Sequence, residues 1–508
     1  MNPSAEMLHG IPVASDYLRI LPEIVLSLFG MLIMVLDPLM DEEKSQKVLG
    51  RIGLAGAVAA LISAWLMAQS PGFAFWNMVR VDGFSVFFHV LIITIGIVLI
   101  LTSYEYMAVQ KIRAGEYYGL ILFGLVGMCL MSSAVELVLI FIALEISSIS
   151  TYILAGFRRR AAISSESSLK YFLLGSFATA FFLYGVALMF GATGSTNIDQ
   201  ISTALSSGNV SPLAYVAVAL MFVGLGFKVA AAPFHIWTPD VYEGAPAPIV
   251  GFMSTAPKAA AFAVLLRVLL EANAPGRFWL IWISAALSMT LGNVAALVQH
   301  NVKRLLAYSS IAHAGYVLIA FAAKPELGAP AVMFYTATYA AMNVGAFAVV
   351  SHIANADERY VAVEDYAGLG RRSPILAGAL GIFLISLIGI PITGGFFAKF
   401  YVFSAALQSG LVGLTIIGVI NSALGAYYYL RLIVVMYMRD AKEDVPVLPV
   451  SLSFGAAVVI ALSATIFLGV LPNSVLGFVQ RSGQQLVQRV NAVPLQQVTD
   501  DGVSKPLP

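Results

Sequence analysis

The chain is poor in cysteine and in charge. Only one of its 508 residues is a cysteine, Cys129, so the sequence contains no disulfide framework and no cysteine-ligated iron–sulfur cluster. No glycine-rich phosphate loop follows a strand-like segment. Charged residues make up 11% of the chain, whereas soluble domains carry about 25%. The net charge of +1 argues against a nucleic-acid partner.

Long apolar segments are what the sequence has in abundance. Hydrophobic residues make up 59% of the chain and the mean hydropathy is +0.88. A segment of about 20 apolar residues is long enough to cross a bilayer as a helix. The sequence therefore predicts an all-α polytopic membrane protein with about 14 spans, at 17–38, 49–69, 82–103, 117–133, 135–157, 167–192, 211–232, 249–271, 278–298, 303–323, 329–354, 374–407, 411–438 and 450–474.

Basic residues alternate between the loops in a way that supports this count. Loops after odd-numbered spans hold 15 lysines and arginines, and loops after even-numbered spans hold only Arg80, Arg277 and Lys324. Cytoplasmic loops carry the excess of positive charge. We therefore expect the odd-span loops in the cytoplasm and both termini outside. The 15 basic residues in the loops after odd-numbered spans are Lys44, Lys47, Arg51, Lys111, Arg113, Arg158, Arg159, Arg160, Lys303, Arg304, Arg359, Arg371, Arg372, Arg439 and Lys442.

Two spans contain internal breaks. Span 7 runs through Lys228 into a segment with Pro233 and Pro239, and span 12 contains Gly389-Ile390-Pro391 before Lys399. Proline removes a backbone donor and disrupts a helix. Matching broken helices indicate an inverted repeat with its site near the membrane midplane. We predict repeats at about 117–271 (spans 4–8) and 278–438 (spans 9–13), within one membrane domain, 1–478, followed by a polar tail, 479–508.

Four charged residues lie inside the apolar spans: Glu145, Lys228, Lys258 and Lys399. A charge at the bilayer centre costs at least about 2.5–3.5 kcal/mol, so such residues mark routes for ions or protons. Each has a structural alternative. Glu145 could hold helices together, Lys228 could reach the interface with its long side chain, and Lys399 could neutralise the C-terminal end of a half-helix. Lys258 is about ten residues into span 8, too deep to reach the interface easily.

A buried lysine beside a carboxylate can act as a proton switch. A free lysine has a pKa of about 10.4, and burial lowers a lysine pKa by up to roughly 3–5 units, into the range of neutral exchange. A carboxylate at ~7 Å, with an effective dielectric constant of ~20, attracts the ammonium group by about 2.4 kcal/mol. Moving or protonating that carboxylate releases the proton. Glu145 is the candidate carboxylate for such a switch, and the three intramembrane lysines are the candidate amines.

Other polar residues in the spans are weaker candidates. His313 is intramembrane and could relay protons near neutral pH, although a lone histidine is more often a satisfied core residue. His235 lies beside the first break, and Arg431 has no local partner in the sequence. Asp82 and Glu23 lie near span ends, where caps and interface contacts are expected. Arg267 is close enough to the end of span 8 to extend into the interface.

The segment from Phe227 to Pro246, FKVAAAPFHIWTPDVYEGAP, resembles the signature of the antiporter-like membrane subunits of respiratory complex I, the proton-translocating NADH:quinone oxidoreductase. Its TPDVYEGAP portion and the STAPK sequence at 254–258 resemble subunit N in particular. The similarity extends over nearly the whole chain. The resemblance implies 14 helices with two inverted five-helix repeats.

The resemblance also implies functional roles. Glu145 and Lys228 match the paired glutamate and lysine of helices 5 and 7, Lys258 the central lysine of helix 8, and Lys399 the helix-12 residue facing the outer exit. Flavin, iron–sulfur clusters and quinone are then expected in partner subunits, with no cofactor in this chain. The expected partners are other membrane subunits, including antiporter-like neighbours, in a bacterial inner membrane. Two alternatives remain open: a subunit of a multisubunit cation/proton antiporter, and a passive membrane scaffold.

Overall fold

The computed structural model of the protein describes residues 12–40, 42–110, 115–207, 210–441, 445–446 and 449–491. Lys111, Arg113 and Lys442, which contribute to the loop charges, lie outside the described residues, as does 492–508 of the predicted tail. The described part forms a bundle of helices. Thirteen of its helices are long and apolar enough to cross a membrane, and the remaining predicted span, span 12, is divided into two shorter helices. The prediction of an all-α membrane fold is confirmed.

The spans keep the numbers used for the sequence. Their bounds are Leu21–Leu36, Glu42–Ala68, Gly83–Gln110, Gly115–Ser133, Leu137–Ala155, Ala162–Thr193, Pro212–Val229, Ala247–Glu271, Arg277–Leu297, Val302–Ala322, Pro325–Ala354, Pro374–Ile388 with Gly394–Gln408, Val412–Met438 and Leu452–Val470. Shorter helices are Ala14–Arg19, Ile198–Ser206, Trp237–Gly244 and Leu369–Arg372. Helix Pro472–Asn491 includes the first part of the predicted polar tail.

One small sheet joins spans 2 and 3. Strands β1 (Gly72–Ala74) and β2 (Val79–Val81) form an antiparallel hairpin in which Phe73 is opposite Arg80. The backbone between them has positive φ angles at Phe75, Trp76 and Asn77. The hairpin places the guanidinium group of Arg80 inside the protein, where it is 1% exposed.

Burial separates the spans into a centre and a periphery. The most apolar windows of spans 8, 10 and 11 are 100%, 89% and 94% buried, whereas those of spans 1, 13 and 14 are 33%, 39% and 39% buried. A helix that is apolar on all sides can be placed in a core or against lipid. Only the packing therefore distinguishes the central spans, and they carry Lys258 and His313.

Backbone hydrogen bonds reveal the repeat. Two bonds close the junction between span 5 and the segment after span 6, and two equivalent bonds close the junction between span 10 and the segment after span 11. Each bond of the second pair lies 165 residues after its counterpart. In the first pair, the Leu137 amide donates to the Thr196 carbonyl and the Ile198 amide to the Val135 carbonyl. In the second pair, the Val302 amide donates to the Val361 carbonyl and the Val363 amide to the His300 carbonyl. Because five spans separate the two junctions, they lie at opposite ends of the bundle, as an inverted repeat requires.

Helix packing repeats with the same separation. A Cβ atom on Gly127 of span 4 would lie 2.6 Å from the Ser147 nitrogen of span 5. A Cβ atom on Gly292 of span 9 would lie 2.6 Å from the Ala312 nitrogen of span 10. The absence of a side chain lets the two backbones approach closely at both crossings.

Both predicted breaks are present and have the same geometry. Span 7 ends at Val229, with Ala230 at φ 59°, and the first half of span 12 ends at Ile388, with Gly389 at φ 90°. In each case a residue in the left-handed region stops the helix while the following amides bond back to its last turn. Glycine adopts this conformation freely, whereas alanine does so at a cost of roughly 1–2 kcal/mol.

A third break lies in span 8, although this span was predicted to be a continuous helix. Helix Ala247–Met253 ends, and helix Ala256–Leu265 begins after Thr255 at φ −124° and ψ −72°. Pro257 has no N–H group to bond the carbonyl four residues earlier. The hydroxyl groups of Ser254 and Thr255 instead donate to the Gly251 carbonyl at 2.9 and 2.7 Å. Lys258 therefore follows a broken helix, like Lys399.

Candidate functional site: a buried line of lysines and hydroxyl groups

Lys228 ends the first half of span 7 in an aromatic pocket. The residue is 6% exposed, so the alternative that it extends to the interface is wrong. Its Nζ atom lies 3.5 Å from the Tyr152 hydroxyl oxygen and 4.9 and 5.5 Å from the ring centroids of Tyr152 and Tyr171. Aromatic faces attract a cation without accepting its proton. The pocket can therefore hold a charged amine with no carboxylate in contact.

Glu145 lies two turns before Tyr152 on span 5 and is half-buried. Its Oε1 atom is buried and has no hydrogen-bond partner among the described residues, so this oxygen makes no interhelical hydrogen bond of the kind that the packing alternative involves. Among the described residues, the Lys228 amine contacts the Tyr152 hydroxyl and forms no ion pair with Glu145. Ile142 and Ile149, on the same helix face, are 48% and 52% exposed. Glu145 thus lies beside a face of the bundle that is open in the isolated chain.

Lys258 is held at the centre of the bundle by neutral groups. Its Nζ atom donates to the Ser310 carbonyl oxygen at 3.1 Å and to Ser310 Oγ at 2.6 Å. Tyr339 of span 11 donates to the same Ser310 Oγ at 2.8 Å. The lysine is 2% exposed, and none of these contacts carries a negative charge. Deprotonation of Lys258 would therefore break no ion pair with these contacts.

A small cavity joins Lys258 to His313. Its volume is about 10 Å³, and Lys258, Ser310, His313 and Tyr339 are among its lining residues. A volume of this size is about the smallest that holds one water molecule. Ser310 and His313 are three residues apart on span 10, so both face this space. The structure therefore brings together two of the candidates that the sequence placed on different spans.

Both ring nitrogens of His313 contact tyrosine hydroxyl groups. Its Nδ1 atom is 2.7 Å from the Tyr335 hydroxyl oxygen, and its Nε2 atom is 3.3 Å from that of Tyr429. Ser309 also bonds the Tyr429 hydroxyl. An imidazole ring can accept a proton at one nitrogen while releasing one from the other. These contacts fit both predictions for His313: a satisfied core histidine, which the sequence analysis favoured, and a relay between two hydroxyl groups.

Lys399 lies just after the break in span 12. It donates to the Leu387 and Ile388 carbonyl oxygens at 3.1 and 2.8 Å and to Ser422 Oγ at 2.9 Å. The carbonyl contacts are those of the structural alternative, in which a cation neutralises the end of the half-helix. Its Nζ atom also lies 5.1 Å from the Tyr316 ring centroid. The Tyr316 ring is in turn 5.6 Å from that of His313.

The five predicted residues form one connected group and one separate pair. Lys258, His313 and Lys399 are linked through Ser310, the cavity and Tyr316. Lys228 and Glu145 lie in spans 7 and 5, and among the described residues no direct hydrogen bond joins Lys228 to Lys258. A proton passing between the two groups would need a water molecule or a movement of the lysine side chains.

Several members of the site were missed at the sequence level because they are uncharged. Ser310 shares a helix face with His313, and this three-residue spacing was a signal that could have identified it. Tyr429 belongs to a run of three tyrosines in span 13. Nothing in the sequence indicates the remaining contacts, which come from distant spans: Tyr152, Tyr316, Tyr335, Tyr339 and Ser422.

The weaker charged candidates belong to other clusters. Arg267 is fully buried, not interfacial, and pairs with Glu271 at 3.2 Å and Asp82 at 3.4 Å. Asp82 also caps span 3 by accepting from the Ser85 amide at 2.8 Å, as predicted for it. Glu23 is 5% exposed and is therefore not an interface contact.

Two further candidates lie away from the line of lysines. Arg431 finds partners at the end of span 9, the Leu297 carbonyl oxygen and the His300 Nδ1 atom, both at 3.3 Å. His235 is half-buried beside the break in span 7. Within the described residues, neither side chain contacts Lys228, Lys258 or Lys399.

The geometry defines a class of membrane protein in which lysines lie beside the breaks of interrupted helices in two inverted repeats. Residues 134–425 match the sequence profile described as NADH:quinone oxidoreductase/Mrp antiporter, TM. The chain belongs to this family.

Closer relatives give a narrower assignment. The chain is 65% identical over 481 residues to NADH-quinone oxidoreductase subunit N 2 of Koribacter versatilis, covering 93% of this chain and 98% of the relative. It is 44% identical to subunit N of Trichlorobacter lovleyi, covering 91% and 96%. Within the family, the chain therefore groups with the N subunits.

Solved structures share the fold. A chain of respiratory complex I from Thermus thermophilus, with bound aureothin, is 40% identical and superimposes with a TM-score of 0.78, covering 90% of this chain and 98% of that chain. A chain of the Mrp complex from Dietzia sp. DQ12-45-1b has a TM-score of 0.80 at 19% identity, covering 94% and 99%. At that identity the second similarity extends to the fold alone.

Proposed function

We propose that this chain is a proton-translocating subunit of a bacterial NADH-quinone oxidoreductase and performs no redox chemistry itself. The observation that carries the proposal is the buried connection of Lys258 through Ser310 and a small cavity to His313, with Lys399 beyond it. Electron transfer, with flavin, iron–sulfur clusters and quinone, is assigned to partner subunits. The charge excess of the odd-span loops supports an inner-membrane orientation with both termini outside the cytoplasm.

The proposed cycle begins at the open face of the bundle. A charge displacement in a neighbouring membrane subunit acts on Glu145, whose Oε1 atom lacks a hydrogen-bond partner within the described part of the chain. The change in field at Lys228 displaces its proton toward Lys258. Lys258 then releases its proton through the cavity to His313, which passes it to Lys399 for release on the outer side, and Lys228 takes up a new proton from the inner side. Each amine is protonated and deprotonated once in a cycle, so no net charge remains in the bundle.

The neutral surroundings of the lysines make this sequence energetically plausible. A fully desolvated ion without a counter-charge costs several kcal/mol, and the hydrogen bonds of Lys258 and Lys399 to neutral oxygens offset part of that cost. The charged and neutral forms are therefore closer in free energy than they would be beside a carboxylate. Arginine in the same positions would stay charged at working pH.

The assembled complex, reconstituted in liposomes, provides the test. Lys258→Met keeps the length and volume of the side chain and removes the amine. We expect fewer protons translocated per NADH oxidised, with the complex still assembled. Lys324→Met is the matched control, because Lys324 is exposed at the start of span 11. An unchanged ratio of protons to NADH in Lys258→Met would overturn the role assigned to the lysine.

Purification separates this proposal from the antiporter alternative. A subunit of the oxidoreductase co-purifies with flavin- and iron–sulfur-containing subunits, whereas an antiporter subunit co-purifies with membrane subunits alone. The identity of 65% to an N subunit, against 19% to the Mrp chain, supports the first outcome. A passive scaffold would retain normal proton translocation after all four charged residues were neutralised.

A further inference from the structure

A second buried pair of titratable side chains lies outside the line of lysines. Glu23 of span 1 and His89 of span 3 are 5% and 0% exposed, and Glu23 Oε1 is 2.8 Å from His89 Nε2. Spans 1 and 3 precede both repeats, so this pair is not part of the repeated architecture. Glu23 is the third residue of span 1, which places the pair near one end of the bundle.

The contacts of the other ring nitrogen determine the tautomer of His89. His89 Nδ1 is 2.8 Å from the Ser85 carbonyl oxygen, and a carbonyl oxygen can only accept, so Nδ1 must carry a hydrogen. Ser132 Oγ is also 3.1 Å from Nδ1. The Ser132 hydroxyl donates its own hydrogen to the Cys129 carbonyl at 2.8 Å, so it accepts from Nδ1 as well.

The hydrogen between His89 and Glu23 follows from this tautomer. With Nδ1 protonated, a neutral imidazole presents a bare Nε2 atom. The short contact to Glu23 Oε1 then requires one further proton, held either by the carboxyl group or by an imidazolium ring. An unprotonated carboxylate facing a bare nitrogen would bring two lone pairs together. The pair therefore holds one proton beyond that of Nδ1.

The second carboxyl oxygen favours the uncharged arrangement. Glu23 Oε2 is buried and has no hydrogen-bond partner in the portion of the chain that the structure describes, and an ionised carboxylate without donors is costly to bury. Arg267, which donates to the Ser132 carbonyl oxygen at 3.1 Å, is already paired with Asp82 and Glu271. That cation therefore does not neutralise Glu23. The same cluster also contains Arg80, which bonds Asp82, Asp199 and Glu271.

We propose that Glu23 and His89 form a proton-binding site outside the two repeats, with an un-ionised Glu23 donating its proton to His89 Nε2. When the proton moves along this bond, the Glu23 O–H bond breaks and a His89 N–H bond forms, with no change in net charge. The proposal does not rest on the function assigned to Lys258, because binding of this proton requires no transport through the lysine line.

Infrared spectroscopy of the assembled complex in lipid tests the site directly. An un-ionised carboxylic acid has a carbonyl band that is absent from ionised carboxylates and shifts after exchange into deuterated water. We expect the exchange-difference spectrum to lose one such band in Glu23→Gln, whose amide can still donate to His89. Glu326→Gln, at an exposed glutamate of span 11, should leave the acid bands unchanged.

A second variant tests the partner. His89→Gln replaces the nitrogen acceptor with a weaker amide oxygen, so the Glu23 band should move to higher frequency and persist. The proposal is overturned if Glu23→Gln assembles normally and loses no acid band, or if His89→Gln leaves the band where it was. Normal proton translocation in Lys258→Met would contradict the function proposed for the lysines and leave these spectra unaffected.

Discussion

Replacing Ser310 with alanine isolates the hydrogen bond that holds Lys258 in its protonated form. The hydroxyl oxygen of Ser310 accepts from the Lys258 amine at 2.6 Å, while the Ser310 carbonyl, which the variant keeps, accepts from it at 3.1 Å. The substitution therefore removes one of two bonds to the amine and leaves its burial unchanged. A hydrogen bond to a charged group contributes roughly 1.5–3 kcal/mol.

Loss of this hydrogen bond makes protonation of Lys258 less favourable. Removing about 1.5–3 kcal/mol of stabilisation from the protonated form raises the proton concentration needed to load it by about 10- to 150-fold, since 1.36 kcal/mol is a factor of ten. Proton translocation per NADH, measured in liposomes over a range of pH, should therefore become half-maximal about one to two pH units lower than in the unmodified complex. NADH oxidation with an artificial electron acceptor should not change.

Two companion variants separate this effect from others. Tyr339→Phe removes the second donor to Ser310 Oγ and keeps the bond to Lys258, so its pH profile should shift less than that of Ser310→Ala. Ser165→Ala, at an exposed serine of span 6, should behave as the unmodified protein does. A pH profile of Ser310→Ala that coincides with the unmodified one, in a fully assembled complex, would refute the idea that this hydroxyl stabilises the loaded amine.

Two further predictions concern stability. Glu358 accepts from Lys303 at 2.6 Å, from Tyr106 at 2.9 Å and from the Ala247 amide at 2.6 Å. Glu358→Gln should destabilise the subunit by roughly 3–5 kcal/mol, because it leaves the buried Lys303 cation uncompensated. Thermal dissociation of the complex, followed on native gels, should then occur at a lower temperature, and Lys303→Met combined with Glu358→Leu should restore part of the lost stability. Gly395→Ala should impair assembly of the complex more than Gly378→Ala does. A Cβ atom at position 395 would overlap the Ser386 carbonyl oxygen, whereas one at position 378 would have open space around it. Equal amounts of assembled complex in the two variants would contradict this prediction.

The membrane fold was predictable because its main signals are local. An apolar run of about 20 residues predicts a span whatever surrounds it, and 13 of the 14 predicted spans are continuous or nearly continuous helices in the structure. The breaks in spans 7 and 12 were visible as proline and glycine within apolar runs. The break in span 8 was missed, although Pro257 is the ninth residue of the predicted span 249–271, where a proline removes a helical hydrogen bond.

The charged members of the site were predictable for the same reason. Lys228, Lys258 and Lys399 stand out because a charge is rare in an apolar span. The same rule misjudged Arg267 and Glu23, which lie close to span ends and were expected at the interface. Their burial depends on partners from other spans, Glu271 and Asp82 for the arginine and His89 for the glutamate.

By itself the sequence determined the number of spans, their repeat, two of the three breaks and the identity of the buried charges. These properties depend on residues that are neighbours along the chain, or on the cost of placing one side chain in hydrocarbon. Only the tertiary structure decided that Ser310 holds Lys258, that a cavity joins it to His313, and that spans 8, 10 and 11 form the centre. Such contacts join residues far apart in the chain, and apolar helices that look alike in sequence become distinct only when they pack.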